Sequence, residues 1–204
     1  MAPAGPPDAT PDIRLVEPGV VRAAQRGDGE AQEKLARTCQ RTAYLFALHL
    51  TGNPDDALEL SQDAMLRVFR SLHRFDSGRP FRPWLLRIVR NLARDRARRL
   101  RIRRIEPLQH DVDAVRPDPT DPAPNPEQRA TTVELRHLLW RAMAQLPPRY
   151  REVVALRDYL DLSYAEIAVA LKIPTGTVMS RLHRGRTMLR QMVRRAIYGE
   201  ARDD

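Results

Sequence analysis

The chain has 204 residues and a formal net charge of +9, with 35 lysines and arginines against 26 aspartates and glutamates. A chain this basic favours a polyanionic partner, and nucleic acid is the first candidate. Its single cysteine excludes an intrachain disulfide, and no spacing of histidines and cysteines indicates a metal site, so we predict no metal and no cofactor. No apolar run reaches the length of a membrane span and no signal peptide is evident, which predicts a cytoplasmic protein.

The first half of the chain predicts a helical domain at residues 18–105, behind a proline-rich tail at 1–17 that we expect to be disordered. A short first helix ends near Gly27. Asp28 is placed to cap a longer second helix, and Gly52 is placed to end it.

A loop separates the third and fourth predicted helices. Asn53, followed by a proline, predicts the start of the third helix, which runs to about Leu72. Glycine and prolines predict a loop over 75–83. The fourth helix is predicted from Trp84 to about Arg104.

The composition changes at residues 106–125, where prolines and aspartates without a periodic apolar face predict a flexible linker. About twenty residues can span at most roughly 70 Å, which lets two modules lie about two turns apart on duplex DNA. A second helical domain follows at 126–198, then a short tail at 199–204. No strand pattern occurs, so the predicted fold is all-α, with two small helical domains joined by the linker.

The segment 163–190 predicts a helix-turn-helix. Ser163 and Glu166 form a capping box, Pro174 breaks the first helix, and Thr175 can cap the second. The face of the second helix opposite its apolar residues carries Met179, Ser180, His183, Arg184, Arg186, Thr187 and Arg190. Such a face is typical of a recognition helix for the DNA major groove. The alternative is an ordinary helical hairpin with a solvated basic face.

The third predicted helix is acidic. Its face opposite the apolar residues carries Asp55, Glu59, Gln62 and Asp63, with Leu66 in the middle. An apolar residue ringed by acid and amide groups indicates a protein contact. Acids near a helix N-terminus are also favoured by the helix dipole on a solvated surface, so both interpretations stay open.

The fourth predicted helix is strongly basic, since residues 79–104 contain eleven arginines and one acid, Asp95. The face opposite its apolar stripe carries Arg87, Asn91, Arg94 and Arg98. Arginines this close together repel one another unless an anion lies between them, and a phosphate backbone supplies that anion.

Three aromatic residues, Phe75, Phe81 and Trp84, flank the start of the basic helix. Aromatic rings beside a basic groove can stack on unpaired bases. We expect Phe81 and Trp84 to belong to the hydrophobic core instead, and Phe75, in the loop, to be more open.

Three motifs in this order resemble the extracytoplasmic-function (ECF) group of bacterial RNA polymerase sigma factors. They are NPDDALELSQDAMLRVFRSLHRF, similar to the polymerase-clamp helix of the family; PFRPWLLRIVRNLARDRARR, similar to its −10 element reader; and LPPRYREVVALRDYLDLSYAEIAVALKIPTGTVMSRLHRGR, similar to its −35 element reader. The resemblance implies region 2 at 18–105 and region 4 at 126–198. It also implies a protein that is not an enzyme but directs polymerase to promoters and aids strand opening.

The resemblance implies a role for each matching residue. The partners it implies are core RNA polymerase, through its β′ clamp and β subunits, duplex and single-stranded promoter DNA, and an anti-sigma factor. The implied polymerase-binding residues are Asp56, Glu59, Gln62, Asp63 and Leu66. The implied −10 residues are Phe75, Arg87, Arg90, Asn91, Arg94 and Arg98, with Phe75 and Asn91 in the pocket for a flipped base. The implied −35 residues are Thr175, Thr177, Met179, Ser180, His183, Arg184 and Arg186.

Two positions depart from the family pattern. Lys172 lies in the turn where related sequences usually have glycine, and a lysine with positive φ costs about 1 kcal/mol. Met179 lies where arginine or lysine is common. It cannot pair with guanine but can contact a thymine methyl, which predicts an altered −35 preference at that base.

Two other classes of function compete with this interpretation. A stand-alone helix-turn-helix regulator explains the second domain but not the acidic face of the third helix. A protein-interaction adaptor with solubilising basic helices explains neither DNA-facing element.

Overall fold

The computed structural model describes residues 16–103 and 126–198, and these residues form helices and turns with no strand among them. The side chains of 101–103 and 126–133 are not described. The predicted linker at 106–125, the C-terminal tail and most of the N-terminal tail lie outside the described residues. The all-α prediction is confirmed for the rest.

Within residues 16–103, the first unit has four α-helices. They are α1 (Pro18–Gln25), α2 (Gly29–Thr51), α3 (Pro54–Ser71) and α4 (Phe81–Arg103), with a 3-10 turn (Leu72–Arg74) after α3. α2 packs against the other three.

The predicted caps at Asp28 and Asn53 and the predicted helix end at Gly52 are confirmed at atomic detail. The Asp28 carboxylate accepts a hydrogen bond from the Ala31 N–H at 3.0 Å. The Asn53 side chain accepts hydrogen bonds from the N–H groups of Asp55 and Asp56. Gly52, at φ 73°, ends α2 in the left-handed conformation that a residue without Cβ adopts most easily.

The predicted start of the fourth helix was three residues too late. α4 begins at Phe81, and Pro83 lies inside its first turn. A proline is tolerated there because the first N–H groups of a helix have no partner within it.

The described part of the second unit, residues 126–198, also has four α-helices. They are α5 (Pro126–Gln145), α6 (Pro148–Val154), α7 (Tyr164–Leu171) and α8 (Thr175–Tyr198), with a π-helical turn (Ala155–Tyr159) after α6. The predicted capping box of Ser163 and Glu166 is present at the start of α7. Lys172 ends α7 at φ 53°, so the lysine does occupy a left-handed position. α8 starts at Thr175 itself, which makes Thr175 the first helical residue rather than the cap before it.

Cys39, whose spacing with Leu35 and Phe46 predicts a core thiol, is 1% exposed. Burial raises the pKa of Cys39 to about 12, because an apolar surrounding disfavours the thiolate. The side chain therefore acts as a small apolar core residue. No described helix is both long and apolar enough to cross a membrane.

The two units pack against each other. α4 contacts α7, and α2 contacts α6 and the π-helical turn. The buried apolar residues of both units consequently form one connected core.

A glycine in the second unit permits close packing of two helices. A Cβ atom added at Gly185 of α8 would lie 2.8 Å from Cγ2 of Val154 in α6 and 3.4 Å from Cβ of Tyr150. Val154 is 1% exposed, and its β-branched side chain has little freedom to move. Position 185 therefore requires glycine for the present distance between α6 and α8.

We predict that Gly185→Ala lowers the free energy of unfolding by about 1–2 kcal/mol, because overpacking outweighs the helix preference of alanine. Gly176→Ala in the same helix is the control, since a Cβ there meets nothing within 4 Å. Urea unfolding of both variants measures the difference. Gly185→Ala should cost less unfolding free energy in a Val154→Ala background than in the parent, because Val154→Ala removes the methyl group that the new Cβ meets. An equal cost in both backgrounds would contradict the close contact.

Candidate polymerase and nucleic-acid interfaces

The predicted protein-binding face of α3 is exposed. Leu66 is 56% exposed, and Gln62 and Asp63 are exposed beside it. Leu58, 47% exposed, lies two turns before Leu66 and extends the apolar stripe on this face. Sequence reasoning missed Leu58, although its spacing of four from Gln62 was a usable signal.

Two of the predicted polymerase-binding acids already have a partner within the chain. Arg96 of α4 donates hydrogen bonds to Asp56 at 2.6 Å and to Glu59 at 2.7 Å. The hydrogen bond to Glu59, with the nearby Asp56 carboxylate, raises the pKa of Arg96. Arg96 thus partly neutralises the acidic face of α3. The exposed side chains of Gln62, Asp63, Leu58 and Leu66 make up the rest of this face.

The predicted −10 face of α4 borders an open groove between α3 and α4. Asn91, Arg94 and Arg98 are exposed, whereas Arg87 is half-buried. The groove is lined by Arg67, Ile88, Asn91, Leu92, Arg94, Asp95 and Arg98. Its apolar floor and basic rim suit a nucleic-acid strand, with bases against the floor and phosphates at the rim. Arg67, contributed by α3, was missed because the sequence does not show that α3 and α4 share a groove.

The expectation that Phe75 is open is wrong. Phe75 is 9% exposed, not open, and its ring lies 5.2 Å from that of Phe81 and 4.6 Å from that of Trp84, measured between centroids. The Gln25 side chain donates to the carbonyl of Phe75 at 2.7 Å and so fixes the loop. Because three aromatic rings bury more apolar surface together than apart, the ring packs inward and is not presented as a stacking platform here.

Arg90 lies in the interface between the two units. It is 7% exposed, and its Nε donates to Oε2 of Glu152 at 3.0 Å. Burial lowers the pKa of Arg90, and the Glu152 carboxylate counteracts this. In this arrangement Arg90 cannot reach a DNA backbone.

The predicted −35 face of α8 is accessible. Thr175, Met179, Ser180, His183, Arg184 and Arg186 are exposed, and Thr177 is half-buried. Met179 is 51% exposed. Arg186 pairs with Asp158 of the π-helical turn, and this hydrogen bond raises the pKa of Arg186. Most of the face is therefore free to enter a groove.

His49, near the C-terminal end of α2, is buried against the second unit. Its ring centroid lies 4.1 Å from that of Tyr159 and 5.1 Å from that of Trp140. Burial, with the nearby Arg151 charge, lowers the pKa of His49 to about 4. The folded chain therefore holds this imidazole neutral.

We predict that acidification weakens the fold through His49. The folded pKa lies below the unfolded value of 6.5, so this contribution is full above pH 6.5 and is lost as the pH falls towards about 4. Between pH 7.5 and 5.0 the loss should be about 2 kcal/mol. Urea unfolding at the two pH values should show a smaller pH dependence for His49→Phe, whereas His137→Phe, at an exposed histidine, should behave as the parent. Equal pH dependence in all three proteins would contradict the assignment.

Comparison with known proteins identifies the family to which this chain belongs. Family models for Sigma-70 region 2 and Sigma-70, region 4 match residues 35–103 and 136–189. The chain is 42% identical over 158 residues to the ECF RNA polymerase sigma factor SigE of Mycolicibacterium smegmatis, covering 78% of this chain but only 60% of that relative. It is 30% identical over 186 residues to the ECF RNA polymerase sigma factor SigW of Bacillus subtilis, covering 85% of this chain and 95% of that relative.

Two solved structures share the fold. The sigma factor RpoE in complex with the anti-sigma factor NepR from Bartonella quintana aligns with a TM-score of 0.64 at 21% identity, covering 79% of this chain and 96% of that one. CnrH in complex with the cytosolic domain of CnrY aligns with a TM-score of 0.60 at 24% identity, covering 86% and 96%.

The two family models, each matching one helical unit, define a two-domain, all-α protein of the Sigma-70 class. The match to SigW, which covers 95% of that relative, identifies the group within the Sigma-70 class. The chain belongs to the ECF RNA polymerase sigma factor family. Among the described residues, no cluster of side chains could hold a metal ion.

Proposed function

We propose that this chain binds core RNA polymerase in the cytoplasm and directs it to promoters, reading the −10 element with α4 and the −35 element with α8. It acts as a recognition subunit and not as an enzyme. The observation that carries the proposal is that one chain exposes two separate faces, one on α3 with leucines among acid and amide groups and one on α8 with arginines. We assign the −10 function to the domain at 18–105 and the −35 function to the domain at 126–198.

The α3 face suits docking to the polymerase β′ clamp. Its exposed leucines, Leu58 and Leu66, supply apolar area, and Gln62 and Asp63 supply hydrogen-bonding groups beside it. An apolar centre with a polar rim is the usual anatomy of a protein interface. A stand-alone regulator has no use for such a face.

The sigma factor RpoE is solved in complex with the anti-sigma factor NepR, and CnrH in complex with the cytosolic domain of CnrY. We propose that an anti-sigma factor also regulates this chain. The exposed faces of α3 and α8 are the surfaces that such a partner would need to cover.

We predict that Gln62→Ala with Asp63→Ala weakens binding to bacterial core polymerase by about ten- to a hundredfold, because the two groups border the apolar centre of the face. Fluorescence anisotropy with labelled protein measures the affinity. Glu33→Ala with Gln40→Ala is the matched control, since it also removes one carboxylate and one amide, from the exposed side of α2. Unchanged affinity in the α3 variant would place the polymerase contact elsewhere.

We predict that Met179→Arg changes the −35 preference at one base pair in favour of guanine, since arginine pairs with guanine with a discrimination of about 1–3 kcal/mol. A base-by-base affinity scan of −35 duplexes at fixed salt measures it. Gln191→Arg adds the same charge to an exposed position further along α8 and should raise affinity without changing the profile. An unchanged profile for Met179→Arg would remove Met179 from the reading face.

A further inference from the structure

The interface between the two domains uses the arginines that the proposed function assigns to DNA. Glu152 of α6 is 2% exposed and accepts hydrogen bonds from two arginines of α4. Arg90 Nε lies 3.0 Å from Oε2, and Arg94 Nε lies 3.2 Å from Oε1. The carboxylate thus bridges two neighbouring turns of the −10 helix.

Further arginines bind backbone carbonyls across the same interface. Arg90 Nη1 donates to the carbonyl of Leu171, the last residue of α7, at 3.1 Å. Arg82 of α4 donates to the carbonyl of Leu160. From the opposite side, Arg151 Nη1 donates to the carbonyl of Leu50 near the end of α2, at 3.3 Å. Carbonyls at helix C-terminal ends lack partners within the helix and carry partial negative charge, so guanidinium groups suit them.

The chemistry of this contact imitates nucleic-acid binding. A guanidinium group binds carboxylate and phosphate oxygens with the same forked geometry. Arg181 of α8 also raises the positive potential at Arg90. Glu152 therefore supplies an anion at a position where basic groups of both domains converge.

The contact between the domains covers part of the DNA-facing side of α4 but leaves that of α8 exposed. Arg90 is covered and Arg94 is engaged, although the Arg94 side chain remains 56% exposed. The reading face of α8 stays open, with Met179 about half exposed. The contact therefore blocks one half of the promoter-reading surface and spares the other.

We propose that the free chain is autoinhibited by its own second domain, with Glu152 occupying on α4 the arginine pair that a −10 phosphate occupies when the strand is bound. The proposal rests on the −10 function assigned to α4. Binding of the −10 strand then requires the domains to separate at this interface, and the −35 helix needs no such step.

Glu152→Gln in the full chain tests the proposal. The variant keeps the shape of the side chain but removes the anion between Arg90 and Arg94. A fluorescein-labelled single strand of about twelve nucleotides of mixed sequence is the probe, because backbone contacts do not depend on sequence. We expect Glu152→Gln to bind it at least about tenfold more tightly than the parent, since affinity scales with the open fraction.

Two matched variants separate the docking contact from other effects. Glu134→Gln makes the same charge change at an exposed position of the second domain and should leave binding unchanged. Tyr159→Ala removes the ring that packs on His49 across the interface and changes no charge. It should tighten binding in the same direction by a smaller factor.

Distances between labels at Arg37→Cys and Arg195→Cys, both exposed, report docking directly. Cys39 is buried and does not compete for the label. We expect one short distance in the parent and a broad, longer distribution in Glu152→Gln, with helicity by circular dichroism retained in both.

The outcomes distinguish the proposal from its premise. A Glu152→Gln chain that keeps the parent distance and affinity overturns the autoinhibitory contact and leaves the function of α4 intact. A Glu152→Gln chain that opens without gaining affinity for the strand overturns the −10 function of α4, and the proposal with it. Equal tightening by Glu134→Gln would reduce the effect to net charge and also overturn the contact.

Discussion

A carboxylate removed from water is stable only if cations and hydrogen-bond donors replace the water, and Glu152 finds both in α4. Its two oxygens lie between Arg90 and Arg94, at 2% exposure. The resulting pairs join α6 to α4 across the interface between the two domains. Arg90 also donates a hydrogen bond to the carbonyl of Leu171 at the end of α7. Tyr159 and Trp140 of the second domain pack against His49 of α2.

The same requirement explains why so much arginine can lie on one helix. A run of guanidinium groups is unstable unless each finds an anion or remains in water. In α4, Arg96 finds Asp56 and Glu59 of α3, Arg98 finds Asp95, and Arg90 and Arg94 share Glu152. The helix thus links the acidic face of α3 on one side to the second domain on the other. A partner that binds Asp56 or Glu59 of α3 would therefore compete with Arg96 of α4, the same helix that contacts the second domain.

Local features were predictable from the sequence because their causes are local. The caps at Asp28, Asn53 and Ser163 depend on a side chain and an N–H two or three residues away, and all three are present. Lys172 lies in the turn where related sequences usually have glycine, and its backbone is left-handed, at φ 53°. The exposed face of α8 followed from helical periodicity alone.

Contacts between distant segments were not predictable in this way. Arg90 and Glu152 are 62 positions apart, and neither residue type nor spacing announces their pairing. Phe75 was expected to be open because it lies in a loop, but its ring is buried against Phe81 and Trp84 of the following helix. Gly185 looked unremarkable in the sequence, since its role appears only when α6 lies against it. The exposure of Leu66 and Met179 could therefore be predicted from helical periodicity, whereas the burial of Arg90 and Phe75 required the tertiary structure.

The two domains are parts of one polypeptide, joined through residues 104–125, and this connection has a thermodynamic consequence. Closure of Arg90 and Arg94 on Glu152 is a unimolecular equilibrium, so diluting the protein does not reverse it. Covalent joining also gives each domain a local concentration near the other that two separate molecules reach only in concentrated solution. The apolar and polar contacts between the domains therefore act independently of the protein concentration. Only a ligand with different affinities for the closed and open forms can shift the balance, and the size of the shift is set by that difference in affinity.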